Sequence, residues 1–123
     1  MNGRTHATET ALVRAIVKRL RATWPGLWVI KSHGNPYSGN GVPDLLVSYA
    51  GHFAALEVKH RKPGESVEHA LGRVSAGQRR RVAEIRAAGS VADVVLNEDQ
   101  AEAVVRYALG GPAVCLYEPT DWI

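Results

Sequence analysis

Gly41-Val42-Pro43-Asp44-Leu45-Leu46-Val47-Ser48-Tyr49, then Ala50-Gly51-His52, then Phe53-Ala54-Ala55-Leu56-Glu57-Val58-Lys59 places two short apolar segments on either side of a small turn. Segments of this length, opened by Pro43 and separated at Gly51, predict strands over residues 44–49 and 53–59 joined as a hairpin. Upstream, residues 27–31 are aromatic and β-branched enough for a strand. The stretch 32–42, with Gly34, Asn35, Pro36, Gly39, Asn40 and Gly41, predicts a loop.

Further out the period changes from two to that of a helix. Leu12, Val13, Ile16 and Leu20 recur at helical spacing within residues 8–24, and Pro25-Gly26 stops the run. Downstream, residues 60–74 carry Pro63, Gly64 and Gly72 without a clear period and predict a long connection, either mobile or ordered only on binding. A helix is expected over 75–88, capped by Ser75, stopped by Gly89 and burying Val82 and Ile85, with Arg79, Arg80 and Arg86 outward. A strand over 91–96 follows, then a helix from the Asn97 cap to Leu109 with the stripe Ala101, Val104, Val105 and Ala108. Gly110-Gly111-Pro112 ends it. The expected order is α-β-β-β-α-β-α, an α/β fold of about four strands in one mixed sheet flanked by helices. The apolar tail 110–123 is expected to dock on a core spanning about 8–109.

The 123 residues suffice for one domain and one core, so residues 1–123 are read as a single unit. Charged residues at 22% and hydrophobic residues at 46% exclude a disordered chain. The lone Cys115 excludes an intrachain disulfide and a cysteine-based zinc cluster. His6, His52, His60 and His69 show no zinc spacing with it. No run approaches a membrane span and residues 1–10 contain no apolar leader core, so a cytoplasmic protein away from the membrane is expected. The formal charge of +3 is compatible with a polyanionic partner but too small to demand one.

Three charges interrupt strands that otherwise read as buried. Asp44 opens one strand; Glu57 and Lys59 flank Val58 on the next and therefore share a sheet face, about 6.6 Å apart along the strand. Buried charges must be paired, hold a metal, or lie at a wet end of the sheet. Cleaving a phosphodiester uses this set well: two carboxylates and a backbone carbonyl such as that of Val58 suit Mg²⁺ or Mn²⁺, and a lysine can position water or stabilise the phosphate charge.

At these residues the chain resembles the VRR-NUC branch of the PD-(D/E)XK nucleases, here Pro43-Asp44, twelve residues, then Glu57-Val58-Lys59, followed by Ser75-Ala76-Gly77-Gln78 at a helix start. The resemblance spans roughly residues 8–96. It implies a restriction-endonuclease-like fold, divalent-metal dependence, DNA as substrate and, in small stand-alone members, a homodimer acting on branched DNA such as four-way junctions. It also implies that Glu9, on the inward stripe of the first helix, adds to the metal site, and that Gln78 orients active-site groups. Asp44, Glu57, Lys59, Gln78 and Glu9 are thus the expected catalytic residues, with Asp44, Glu57, Val58 and Glu9 around the metal.

Plainer readings exist for each residue alone. Asp44 suits a turn after proline, Glu57 with Lys59 an edge ion pair, Glu9 a first-turn acid favourable to the helix dipole. Ser75 and Gln78 have the spacing of a capping box, which on this reading excludes a simultaneous active-site role. Lys31, His60, Arg61, Lys62, Arg79 and Arg80, with Arg73 and Arg81, flank the expected site and are read as phosphate contacts. His33 and Asn35 are cleft candidates; Trp24, Trp28 and Trp122 are read as core or interface anchors. The competing functions are a DNA-binding module of the same fold without turnover and a sequence-specific restriction-type enzyme; RNA is an alternative substrate.

Overall fold

The computed structural model describes residues 6–32 and 41–119; His33, Asn35 and Trp122 lie outside them. Helix α1 (Glu9–Thr23) starts where the Thr8 hydroxyl accepts the Ala11 N–H at 3.1 Å. Its stripe of Leu12, Val13, Ile16 and Leu20 is buried as the spacing requires. Strands β1 (Trp28–Lys31), β2 (Leu45–Tyr49) and β3 (His52–Val58) form an antiparallel meander. The β2–β3 turn has positive φ at both central residues, 51° at Ala50 and 82° at Gly51. That geometry matches the twist of a tight hairpin.

From β3 the chain crosses through α2 (Val67–Leu71) and α3 (Ala76–Ala87) to β4 (Val91–Val95), which pairs parallel with β3 and completes the order β1-β2-β3-β4. Helix α4 (Glu98–Ala108), capped by Asn97, closes the described elements. Strand alternation separates two apolar layers. Ala54, Leu56 and Val58 of β3 meet Ile16 and Leu20 of α1 and Val104 and Val105 of α4 in the larger one. Ala55 faces the smaller layer with Val82 of α3 and Ala92 and Val94 of β4. The mixed four-stranded sheet flanked by helices is as expected.

Two expectations need correction here. Residues 60–74 are not a mobile connection without structure, for they contain α2, whose Ser66 cap accepts the His69 N–H at 3.1 Å. The guanidinium of Arg73 then ties the segment together, donating to Glu65 at 2.9 Å and to the His60 carbonyl at 2.7 Å. Five helical residues are too few to display a hydrophobic period, which is why the sequence reads as irregular there. Of the two roles read for Trp28, core or interface anchor, the first is excluded: it is 51% exposed, on the sheet face where α3 covers β3 and β4 only. Trp24 is half-buried against the larger core, with the Arg106 guanidinium 5.1 Å from its ring centroid.

The tail does dock, as far as residue 119. Buried Asp93 of β4 accepts the N–H groups of Leu116 at 2.8 Å and Tyr117 at 2.9 Å, and Arg86 of α3 donates to the Tyr117 carbonyl. Among the described residues no helix is long and apolar enough to cross a membrane.

Candidate active site

Asp44, Glu57 and Lys59 converge at one end of the sheet, where β2 begins and β3 ends. Asp44 precedes β2, so its side chain is not spent on strand alternation; Oδ2 accepts the Val58 N–H at 2.8 Å and Oδ1 lies 3.4 Å from the Lys31 ammonium. Peptide groups of a strand alternate in direction, and the next N–H, that of Lys59, continues the ladder to the Val95 carbonyl at 3.0 Å. The carboxylate thus replaces a missing rung between β2 and β3.

Glu57 points into the smaller layer beneath α3, with its side chain 3% exposed. Its Oε2 accepts from the Gln78 amide at 3.0 Å and lies 3.8 Å from the Lys59 ammonium. Its Oε1 is buried with no hydrogen-bond partner. Burial pushes this carboxyl up to about 9, with the neighbouring Asp44 carboxylate adding to the shift and Lys59 opposing it. Two carboxyls side by side, one of them buried, lack positive charge even with a lysine present.

Gln78 corrects the expectation that capping and site roles exclude each other. Its Oε1 accepts the Ser75 N–H at 2.8 Å while the Ser75 hydroxyl accepts the Gln78 N–H at 3.1 Å, a complete capping box. Because the Ser75 N–H can only donate, the amide oxygen must face it, and the amide nitrogen is thereby turned toward Glu57. One side chain fixes the helix start and the Glu57 carboxyl together.

A contact that local patterns do not reveal holds these parts in register. Gly41 has φ +83°, and a Cβ there would come 2.2 Å from the carbonyl carbon of Gly77 and 2.5 Å from the Gln78 nitrogen. Only a residue without a Cβ at position 41 lets the loop before Asp44 come this close to the first turn of α3. The sequence signal was the glycine at position 41, whose meaning is visible only once the two segments are known to meet.

Glu9 departs from expectation. It is exposed at the first residue of α1, one turn beyond Leu12 and Val13, where the helix overhangs the core. Its charge is still felt at Glu57 and at Arg73. Among the described residues no three side chains of His, Cys, Asp or Glu gather as a ready-made metal cage. The carboxylate pair is therefore the acidic part of the site. The residues present fit a hard divalent cation: Mg²⁺ is commonly held by one or two carboxylates, waters and substrate phosphate, and the unpartnered Oε1 of Glu57 is a donor without a positive group.

The expected phosphate contacts divide into two kinds. Lys31, Lys62 and Arg80 are exposed. The others serve the fold: the His60 ring donates to the His6 carbonyl, Arg61 donates to the Glu65 carbonyl at 2.6 Å, and half-buried Arg79 donates to the Val74 carbonyl at 3.2 Å rather than pointing outward. Arg73 is bound by Glu65, and Arg81 pairs with Glu84 at 2.8 Å. Comparison with models of known protein families finds no match, and comparison with characterised proteins finds none either.

Proposed function

We propose that this chain is a divalent-metal-dependent endonuclease hydrolysing DNA phosphodiesters, of the VRR-NUC type within the restriction-endonuclease-like fold. The observation that carries the reading is the buried Glu57 carboxyl, with one oxygen held by Gln78 and the other unpartnered, beside Asp44 and Lys59. A burial this costly has no use in a solvated ion pair and is offset when a cation binds. Asp44, Glu57 and the Val58 carbonyl would hold Mg²⁺ or Mn²⁺, which when bound supplies Lewis acidity and an acidified water.

This chain's own groups do the rest. Lys59, with its side chain 11% exposed, keeps an ammonium at the mouth of the carboxylate pair, where it orients the attacking water or neutralises the phosphate. Gln78 fixes the rotamer of Glu57. Lys31, at the other side of Asp44, holds that carboxylate and offers a charge to the substrate. One small domain carries one such site, so paired cuts in a branched substrate need two copies, and we include a homodimer and a preference for branched DNA in the reading.

The test is cleavage of labelled duplex, single-stranded, flap and four-way-junction DNA, with RNA alongside, in Mg²⁺ or Mn²⁺ and in EDTA. Asp44→Ala and Lys59→Ala are expected to lose at least about a hundredfold in rate. Sedimentation equilibrium is expected to give twice the chain mass. Binding without cutting in every metal would leave a DNA-binding module instead.

A further inference from the structure

A groove of about 670 Å³ runs between α1 and β1, away from the carboxylates. Its rim carries Arg14, Lys18 and Arg21 from α1 and Lys31 from β1; its floor is Val13, Val17 and Val29. One end is tied to the candidate site, because Lys31 lies 3.4 Å from Asp44. The neighbouring end of α1 carries Glu9, whose charge reaches Glu57. Lys31 thus links the groove to the site.

The three charges that α1 gives to this rim are distinguished by having no acid to balance them among the described residues. Arg19 on another side of α1 pairs with Asp99 at 2.8 Å and Glu102 at 3.3 Å, Arg86 with Asp93 at 3.2 Å, and Arg106 with Glu102 at 2.8 Å. Arg14, Lys18 and Arg21 are exposed and form no ion pair among the described residues. They stand at i, i+4 and i+7 on one helix face, where like charges repel and weaken the helix. The helix dipole favours Arg21 in the last turn but gives no reason for Arg14 or Lys18 in the middle. A stripe with this internal cost is relieved by a polyanion. From Arg14 to Arg21 the helix rises about 10 Å, the axial rise of about three nucleotides of one B-form strand.

We infer that this groove is the track for the sugar-phosphate backbone flanking the cut, with Arg14, Lys18 and Arg21 each neutralising a phosphate and Lys31 handing the strand to the carboxylates. The inference rests on the nuclease reading and adds the path of the substrate to it. Phosphate contacts carry no base information, so the track grips any sequence equally.

The test uses the full chain. A triple variant, R14Q/K18Q/R21Q, is compared with wild type for binding to labelled duplex and four-way-junction DNA across salt concentrations, both in an Asp44→Asn background with Mg²⁺ so that nothing is cut. Three lost phosphate contacts flatten the slope of log K against log salt by about 2.7 on duplex. With Asp44 intact, the triple variant raises KM roughly tenfold or more while kcat stays within about twofold, the mark of contacts made equally in ground and transition states. R14K/R21K keeps the wild-type slope because the charges remain. All three side chains are exposed, and an unfolding midpoint no lower than that of wild type checks that the fold is intact.

If wild type and triple variant cut with the same KM and bind with the same slope, the nuclease reading stands and the track is wrong. If wild type neither cuts nor binds any nucleic acid, both fall. Binding of wild type, but not the triple variant, to vesicles of anionic phospholipid in that case would assign the stripe to a membrane surface and overturn the inference.

Discussion

Glu57 is the residue at which the fold works against itself. Its carboxyl is buried and shifted up, one oxygen has a donor, and the other has none. Glu57→Gln keeps the volume and the contact with α3 while removing a carboxyl whose ionised form burial disfavours. The metal-free variant is therefore expected to unfold at the same or a higher temperature than wild type, while cleavage is lost, the signature of a residue kept for function at the expense of stability. Adding Mn²⁺ should raise the midpoint of wild type and leave that of Glu57→Gln where it was. A variant less stable than wild type in EDTA, or stabilised equally by Mn²⁺, would remove the argument. This residue was legible because a charge inside an apolar strand is visible from local sequence alone, and the same holds for Asp44 and Lys59. Gln78 was only half legible. Its spacing from Ser75 announces a cap, but that its amide also reaches a residue 21 positions earlier is a tertiary fact.

Elements carry the next layer of control, since the site exists only where a loop, a hairpin end and a helix start meet. Gly41→Ala would drive a Cβ into the Gly77 backbone at a positive φ. The cost is expected to be about 2–5 kcal/mol from overpacking and strain together, with cleavage falling as Gln78 is pushed from Glu57. Gly51→Ala provides the contrast: its φ of 82° is also positive, but nothing stands within 4 Å of the added Cβ, so the cost should be about 1 kcal/mol with activity retained. Chemical denaturation alongside the cleavage assay reads both. The connection through α2 makes a prediction of its own in acid. Arg73, the Lys62 N–H and His69 hold the Glu65 carboxyl below the usual carboxylate range. A folded pKa below the unfolded one contributes stability that is present at neutral pH and is lost as pH falls through the usual carboxylate value of 4.5 and below. The gap in unfolding midpoint between wild type and Glu65→Gln should accordingly be widest near pH 7 and begin to narrow as the pH falls below 4.5; a gap independent of pH would refute it. Long elements were legible from period and caps. Helix α2 was not, because a helix held by Ser66 and by a salt bridge at its flank leaves no apolar stripe to read.

At the scale of the whole molecule the two faces of the sheet divide the labour. The larger layer, between the sheet and α1 with α4, is built on apolar side chains and supplies most of the burial that holds the chain folded. The smaller layer under α3 accommodates a buried carboxyl at its edge because the other layer makes up the stability. The outer strand β4 then has to be protected, since an unpaired strand edge invites association with other chains. Asp93 does this with a side chain rather than a ladder: it accepts from Val94, Leu116 and Tyr117 and pairs with Arg86, so the tail is held beside β4 by one carboxylate. That role was missed in the sequence, although an acid within Val91-Ala92-Asp93-Val94-Val95 breaks an apolar strand as plainly as Glu57 does. What differs is the use: Asp93 is satisfied by backbone donors and Glu57 is not, and only the tertiary partners tell a strut from a site. Asp93→Ala leaves three N–H groups without their acceptor and removes the acid beside Arg86, and should cost about 3 kcal/mol, with cleavage by the remaining folded fraction unchanged. Hydrogen exchange should rise across residues 114–119 and leave the hairpin of β2 and β3 protected. Exchange that rises equally throughout would mean that the tail is part of the core itself, and that the molecule does not separate its strut from its site.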